Sequence, residues 1–252
     1  MTRLISLNVE RSKHLERFVL FLRAHAPDVV CLQELTAPDI PRIQHETGLA
    51  HSFYVPMAVH PLDGKTFGVG ILARTAFRVT ESLMYAGTGE GTLLFDRRSP
   101  ESRLDSCRYV VARVALDVAG EQVTVGTTHF PWTPDGLPRP FQTTAVHRMI
   151  ALLGHEPIVL TGDFNAPRGT HVFGEMARVW RDCVPPEATT SLDPDLHRAG
   201  PLELMVDGIF TSPHFTVDEV RLHTGVSDHQ AISARVNRVA RNRQSSTGSN
   251  PA

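Results

Sequence analysis

Apolar positions along this chain fall into short runs that each end at a polar residue. LISL, residues 4–7, reads as a buried strand and stops at Asn8. Leu15, Val19 and Leu22 then recur at helical spacing, which predicts a helix that Ser12 caps and Pro27 closes. Val29–Leu32 is apolar throughout and too short for a helix, so it reads as a central strand that delivers Gln33 and Glu34 at its carboxyl end. A second helix is expected from Pro38 to about Thr47, ending at Gly48. Phe67–Ala73, Phe77–Leu83 and Tyr109–Leu116 read as antiparallel strands, and the interval from Gly87 to Asp105 as an exposed loop or hairpin. Its GTGEG reads as a turn, since no helix follows to complete a phosphate cradle.

The second half repeats the pattern. Glu121 to Phe130 alternates into a strand ending at His129, and Pro140–Leu153 forms a helix with Ala145, Met149 and Leu152 on one face. Ile158–Leu160 is a short strand that empties into TGDFNAPRG. The Pro-, Asp- and Thr-rich stretch from Arg181 to Glu203 reads as a long surface loop, followed by strands at Met205–Thr211, Val217–Leu222 and Ala231–Val236. No repeat and no linker divides the chain. Residues 1–237 therefore read as one α/β domain of two packed mixed sheets flanked by helices, and 238–252 as a basic tail without structure.

Composition narrows the class. With 252 residues, 41% of them hydrophobic and 21% charged, the chain is long and apolar enough for a sizeable core. The net charge is −2, and because 238–252 holds three arginines and no acid, residues 1–237 stand at −5. Duplex binding by bulk positive charge is not expected of such a body, although bound cations can supply charge locally. Three isolated cysteines, no signal-like N-terminus and no membrane-length apolar stretch point to the cytoplasm.

The chemistry collects at the strand ends: Asn8, Glu34, His129, Asp163 with Asn165, Asp207, and the pair Asp228 and His229. Ends along one edge of a sheet converge, so residues distant in sequence can share one cleft. Carboxylates without cysteine or paired-histidine ligands favour a hard cation, Mg²⁺ or Mn²⁺, and Glu34 with Asp228 suffices to hold it. Asp163 is placed to activate a water, with Asn165 two residues on in an extended segment and Asn8 as neutral donors to phosphate oxygens. Asp207 would fix the tautomer of His229 and stabilise its charged form.

LISLN, LQE, TTHF, TGDFNAPRG, MVDGIF and SDHQAI, in this order, resemble the endonuclease/exonuclease/phosphatase superfamily. That family includes exonuclease III-like repair enzymes, pancreatic-type deoxyribonucleases, sphingomyelinases and inositol polyphosphate phosphatases. The resemblance spans residues 3–236 and implies a four-layer α/β/β/α sandwich and metal-dependent hydrolysis of phosphate esters. It implies Glu34 and Asp228 at the metal, Asn8 and Asn165 on the phosphate, and Asp163, His229, Asp207 and His129 in catalysis. Leu204 and Met205 stand where the repair enzymes carry an aromatic residue, which counts against an abasic endonuclease. With only two lysines, a cationic pocket would have to come from Arg97, Arg98, Arg103, Arg168 or Arg198, and no dense basic cluster is visible in the sequence. The expected activity is a Mg²⁺- or Mn²⁺-dependent phosphodiesterase on a phosphate-ester substrate, DNA or RNA among the candidates. The alternatives are a phosphomonoesterase or a non-catalytic binding module on the same fold.

Overall fold

A computed structural model describes residues 1–89 and 91–239. The first half contains β1 (Thr2–Asn8), α1 (Leu15–His25), β2 (Val29–Thr36), α2 (Ile40–Thr47), β3 (His51–Val59), β4 (Thr66–Ala73), β5 (Phe77–Gly87) and α3 (Pro100–Asp105). The second contains β6 (Arg108–Val118), β7 (Glu121–His129), α4 (Pro140–Leu153), β8 (Val159–Asp163), α5 (His171–Val179), β9 (Arg181–Asp182), β10 (Asp207–Thr211), β11 (Phe215–His223) and β12 (Ala231–Arg238).

The strands form two six-stranded sheets, ordered β11-β12-β1-β2-β4-β3 and β5-β6-β7-β8-β10-β9. At the centre of each lies one parallel pair, β1 with β2 and β7 with β8, each joined by a single helix, α1 or α4. Strand alternation explains the layers. Leu4, Val29 and Cys31 meet Val114, Val125 and Val159 between the sheets, while Ile5, Leu7, Val30 and Leu32 pack against Phe18, Val19 and Leu22 of α1. On the other outer face Ala145, Val146 and Met149 of α4 and Val172 and Met176 of α5 cover Leu160 and Phe210. The result is the expected α/β/β/α sandwich of two mixed sheets flanked by helices. Among the described residues no helix is long and apolar enough to cross a membrane.

Several local expectations need correction. Ser12 does not cap α1: Glu10 and Arg11 take left-handed backbone (φ 43° and 61°), the helix starts at Leu15, and the Ser12 hydroxyl donates to Asp39 Oδ2 at 2.8 Å instead. Leu152 is 43% exposed, because the buried stripe of α4 follows Ala145, Met149 and Leu153 at intervals of four. The 87–105 interval contains α3, nucleated by a reciprocal cap in which Ser99 and Ser102 accept each other's backbone N–H. The expected tail begins inside β12, where Arg238 Nη1 donates to the Gln122 carbonyl. The rest of that tail, residues 240–252 with Arg241 and Arg243, lies outside the described residues.

Candidate active site

The sheet register lines up three of the expected residues. Asp163 at the end of β8 lies opposite His129 of β7 on one side and Asp207 of β10 on the other. Side chains so placed are neighbours by construction. Gly162 makes the β7–β8 approach possible, since a Cβ there would lie 2.2 Å from the Thr128 carbonyl oxygen. In the other sheet Asn8 is opposite Gln33, and Gln33 Nε2 reaches across the sandwich to Thr127 Oγ1 at 2.8 Å. Between Leu32 and Leu35 the pairing of β2 with β4 shifts by a bulge, and Glu34 sits in it with φ 55°. The bulge breaks the alternation and lets Glu34 line a cavity at the strand ends.

Around Asp163, which is 2% exposed, the contacts are dense. Asn8 Nδ2 donates to its Oδ2 at 3.0 Å, and the Asn165 backbone N–H donates to Oδ1 at 2.9 Å. The same Oδ2 lies 3.5 Å from His129 Nε2 and 3.9 Å from His229 Nε2. His229 Nδ1 donates to Asp207 Oδ2 at 2.7 Å, and the Ser191 hydroxyl donates to that oxygen at 2.6 Å. Ser191 in turn accepts the backbone N–H groups of Val206 and Asp207. Burial works against a charge on His229, but Asp207 and Asp163 outweigh it and hold the imidazole well above its ordinary pKa. Burial in turn pushes the Asp207 carboxyl up, against the pull of His229.

A second cluster adjoins the first. Glu10, His14 and Asp228 each offer a ligand atom within 4.8 Å of one another, as Asp163, Asp207 and His229 also do. Burial, followed by the nearby Glu10 and Glu34, pushes the Asp228 carboxyl up to about 7 against the pull of His229. Arg11 Nε approaches Glu34 Oε2 at 3.8 Å and His14 Nε2 lies 3.0 Å from Glu10 Oε2. Asp163 is already engaged by Asn8 and flanked by His129 and His229. Carboxylates dominate the second one, a donor set that fits a hard divalent cation.

Both clusters open into one cavity of about 510 Å³, within the range of small-molecule sites. Glu34, His129, Asp163, Asn165, Asp228 and His229 line it; Asn8 and Asp207 lie behind, holding Asp163 and His229. The structure thus brings together all eight residues singled out in the sequence. One local inference fails: Asn165 does not follow Asp163 along an extended strand but adopts φ 47°, and its side-chain amide donates to the Phe130 carbonyl at 3.0 Å. Sequence reasoning missed Glu10, Ser191 and His197, whose ring centre is 6.5 Å from that of His229. Glu10 was readable from its position two residues beyond Asn8; Ser191 lies in a loop with no periodic signal.

The arginines also divide. Arg98 is 87% exposed and paired with Asp96, and Arg168 is bound to the Pro185, Val184 and Ala188 carbonyls and to Asp182. Arg97, Arg103 and Arg198, by contrast, line the cavity together with Arg11. A cationic wall therefore exists that the sequence does not reveal, because residues 97–103 and 198 are separated by nearly a hundred positions.

The family model of the Endonuclease/Exonuclease/phosphatase family matches residues 5–229. Among solved structures, the catalytic domain of human Nocturnin with bound sulfate shares 14% identity at a TM-score of 0.70, over 94% of this chain and 93% of that one. D. rerio TDP2 complexed with a single-strand DNA product shares 18% at 0.65, over 94% and 98%. A mannosyl-6-phosphatase from Bacteroides thetaiotaomicron shares 14% at 0.64, over 94% and 100%. At such identities these likenesses establish the fold. No curated protein matches the chain in sequence.

Proposed function

The chain belongs to the endonuclease/exonuclease/phosphatase family, and from that premise we propose that its cavity is the active site of a divalent-metal-dependent hydrolase cleaving a phosphodiester bond. The observation that carries this is the convergence on one buried carboxylate oxygen, Asp163 Oδ2, of an amide and two imidazoles beside a separate cluster of acids. Glu34 and Asp228, joined by Glu10, would hold Mg²⁺ or Mn²⁺, which when bound neutralises a phosphate oxygen and the departing alkoxide. Asp163 orients the attacking water and takes its proton. Asn8 fixes Asp163 from behind, and the remaining N–H of the Asn165 amide, on the cavity wall, is offered to the phosphate. Asp207, itself anchored by Ser191, keeps His229 charged with its Nε2–H directed to where negative charge grows. His129 faces the same space and serves as acid or phosphate contact. The three free cysteines, two of them buried, support a cytoplasmic, reducing setting.

A second reading, hydrolysis of a phosphomonoester, is favoured by the arginines on the cavity wall, which suit a dianion. One assay separates the readings: the purified protein on bis(p-nitrophenyl) phosphate, p-nitrophenyl phosphate, plasmid DNA and single-stranded RNA, with Mg²⁺ and with EDTA. Diester cleavage that EDTA abolishes and Mg²⁺ or Mn²⁺ restores is expected. Cleavage of the monoester alone selects the second reading, and full activity in EDTA overturns the metal requirement.

A further inference from the structure

Arg97, Arg103 and Arg198 line the cavity, yet none of the three side chains makes an ion pair or a hydrogen bond to another described residue. Arg103 is held over the Trp132 ring at 4.0 Å and lies 5.8 Å from the Phe95 ring centre, and its buried Nε–H has no acceptor. Thr133, 3% exposed on the same wall, has a hydroxyl without a partner as well. Guanidinium groups within reach of a carboxylate pair with it, as Arg11 does with Glu34. These three form no ion pair with the acids of the cavity, although Glu34 acts on Arg103 at longer range. Burial, then the charges of Arg97 and Arg198, pull the pKa of Arg103 below the usual arginine value against the opposing influence of Tyr109 and Glu34, so both arginines lie near enough to act on Arg103. Like charges gathered with no ion-paired carboxylate among the described residues leave an anion as the complementary ligand, and planar guanidinium donors match phosphate oxygens.

We propose that the wall formed by Arg97, Arg103, Arg198 and Thr133 is a second anion subsite, which binds a phosphate of the substrate other than the one being cleaved. The substrate is then a compact ester bearing two separated phosphoryl groups. Its body lies in the roughly nucleotide-sized cavity between the arginine wall and the acid clusters, against the apolar Phe95 and Leu202. The inference rests on the reading of Asp163 and the acid clusters as a phosphate-ester hydrolase, and it holds for a diester or a monoester at the scissile end.

Two measurements separate this inference from that reading. Calorimetric binding in metal-free buffer compares thymidine 3′,5′-bisphosphate with thymidine 5′-monophosphate. Wild-type protein is expected to prefer the bisphosphate by tenfold or more. R97A/R198A, whose altered side chains are exposed and leave the Arg103–Trp132 stack in place, is expected to reduce that preference to within about twofold, while R98A retains it. Steady-state hydrolysis of thymidine 5′-(p-nitrophenyl phosphate) with and without a 3′-phosphate then reads the same preference as a KM difference. Equal affinity for the two nucleotides in wild type, or a preference that survives in R97A/R198A, overturns the subsite. Preferential binding without hydrolysis of either ester keeps the subsite and removes the proposed activity; hydrolysis without preference does the reverse.

Discussion

Asp163 is almost fully buried, and its two oxygens are shared among the Asn8 amide, the Asn165 backbone and two imidazoles. A carboxylate so held is fixed in orientation at the cavity wall, as the proposed activation of a water requires. Asp163→Asn keeps the volume and removes the basic oxygen. Turnover is expected to fall by ~10²–10⁴-fold while the melting temperature stays within a few degrees, checked by steady-state kinetics beside a thermal melt; unchanged turnover removes Asp163 from the chemistry. At this scale the sequence was informative where a polar residue closes an apolar run, as GDFN, MVD and SDH do. It was silent where the backbone leaves the regular regions. The left-handed φ of Asn165 and of Glu34 re-aims each side chain, and no periodicity argument anticipates that. Ser191 escaped for a related reason: it reaches Asp207 from an irregular segment whose path only tertiary packing decides.

The elements that carry the site are the two parallel pairs, β1–β2 and β7–β8. β1, β2 and β8 were legible as short apolar runs that close at polar residues, and β7 by its alternation. The pieces that went unseen, β3, β9, α3 and α5, lie towards the periphery, where short length and partly exposed positions blur the periodicity. Register is what turns these strands into a site, because His129, Asp163 and Asp207 occupy one row across three strands. Gly162 sits one residue before that row. Gly162→Ala places a methyl 2.2 Å from the Thr128 carbonyl oxygen, and since the contact is backbone, the strands themselves must separate. A loss of roughly 1–3 kcal/mol is expected, read as a lower melting temperature, together with a fall in kcat as His129 and Asp163 move apart. An unaltered melting curve would mean that the β7–β8 spacing is softer than the packing implies.

Over the whole molecule, the net charge of −2 conceals a cavity in which acids face one space with three arginines that have no ion-pair partner among the described residues. Sequence charge averages these away, so it could bound the partners but not show the wall. The acid side has a stability consequence with a definite sign. The Asp228 carboxyl stands at about 7 in the folded protein against an ordinary 3.8, so folding favours its protonated form. Its ionised form therefore destabilises the fold. The penalty is absent below the ordinary value, grows as pH rises towards 7, and is fully present above it, with a ceiling of ~4 kcal/mol. Asp228→Asn removes that charge. In EDTA the variant is expected to melt with the wild type near pH 4 and several degrees above it at pH 8. Added Mg²⁺ is expected to close the gap from the wild-type side, because a cation between Glu10, Glu34 and Asp228 would offset the burial of that charge and its repulsion by Glu10 and Glu34. A variant that melts lower than wild type at pH 8 in EDTA would show that Asp228 is held by attraction. The carboxylates would then be structural, and the case for a cation among them would lose its electrostatic basis.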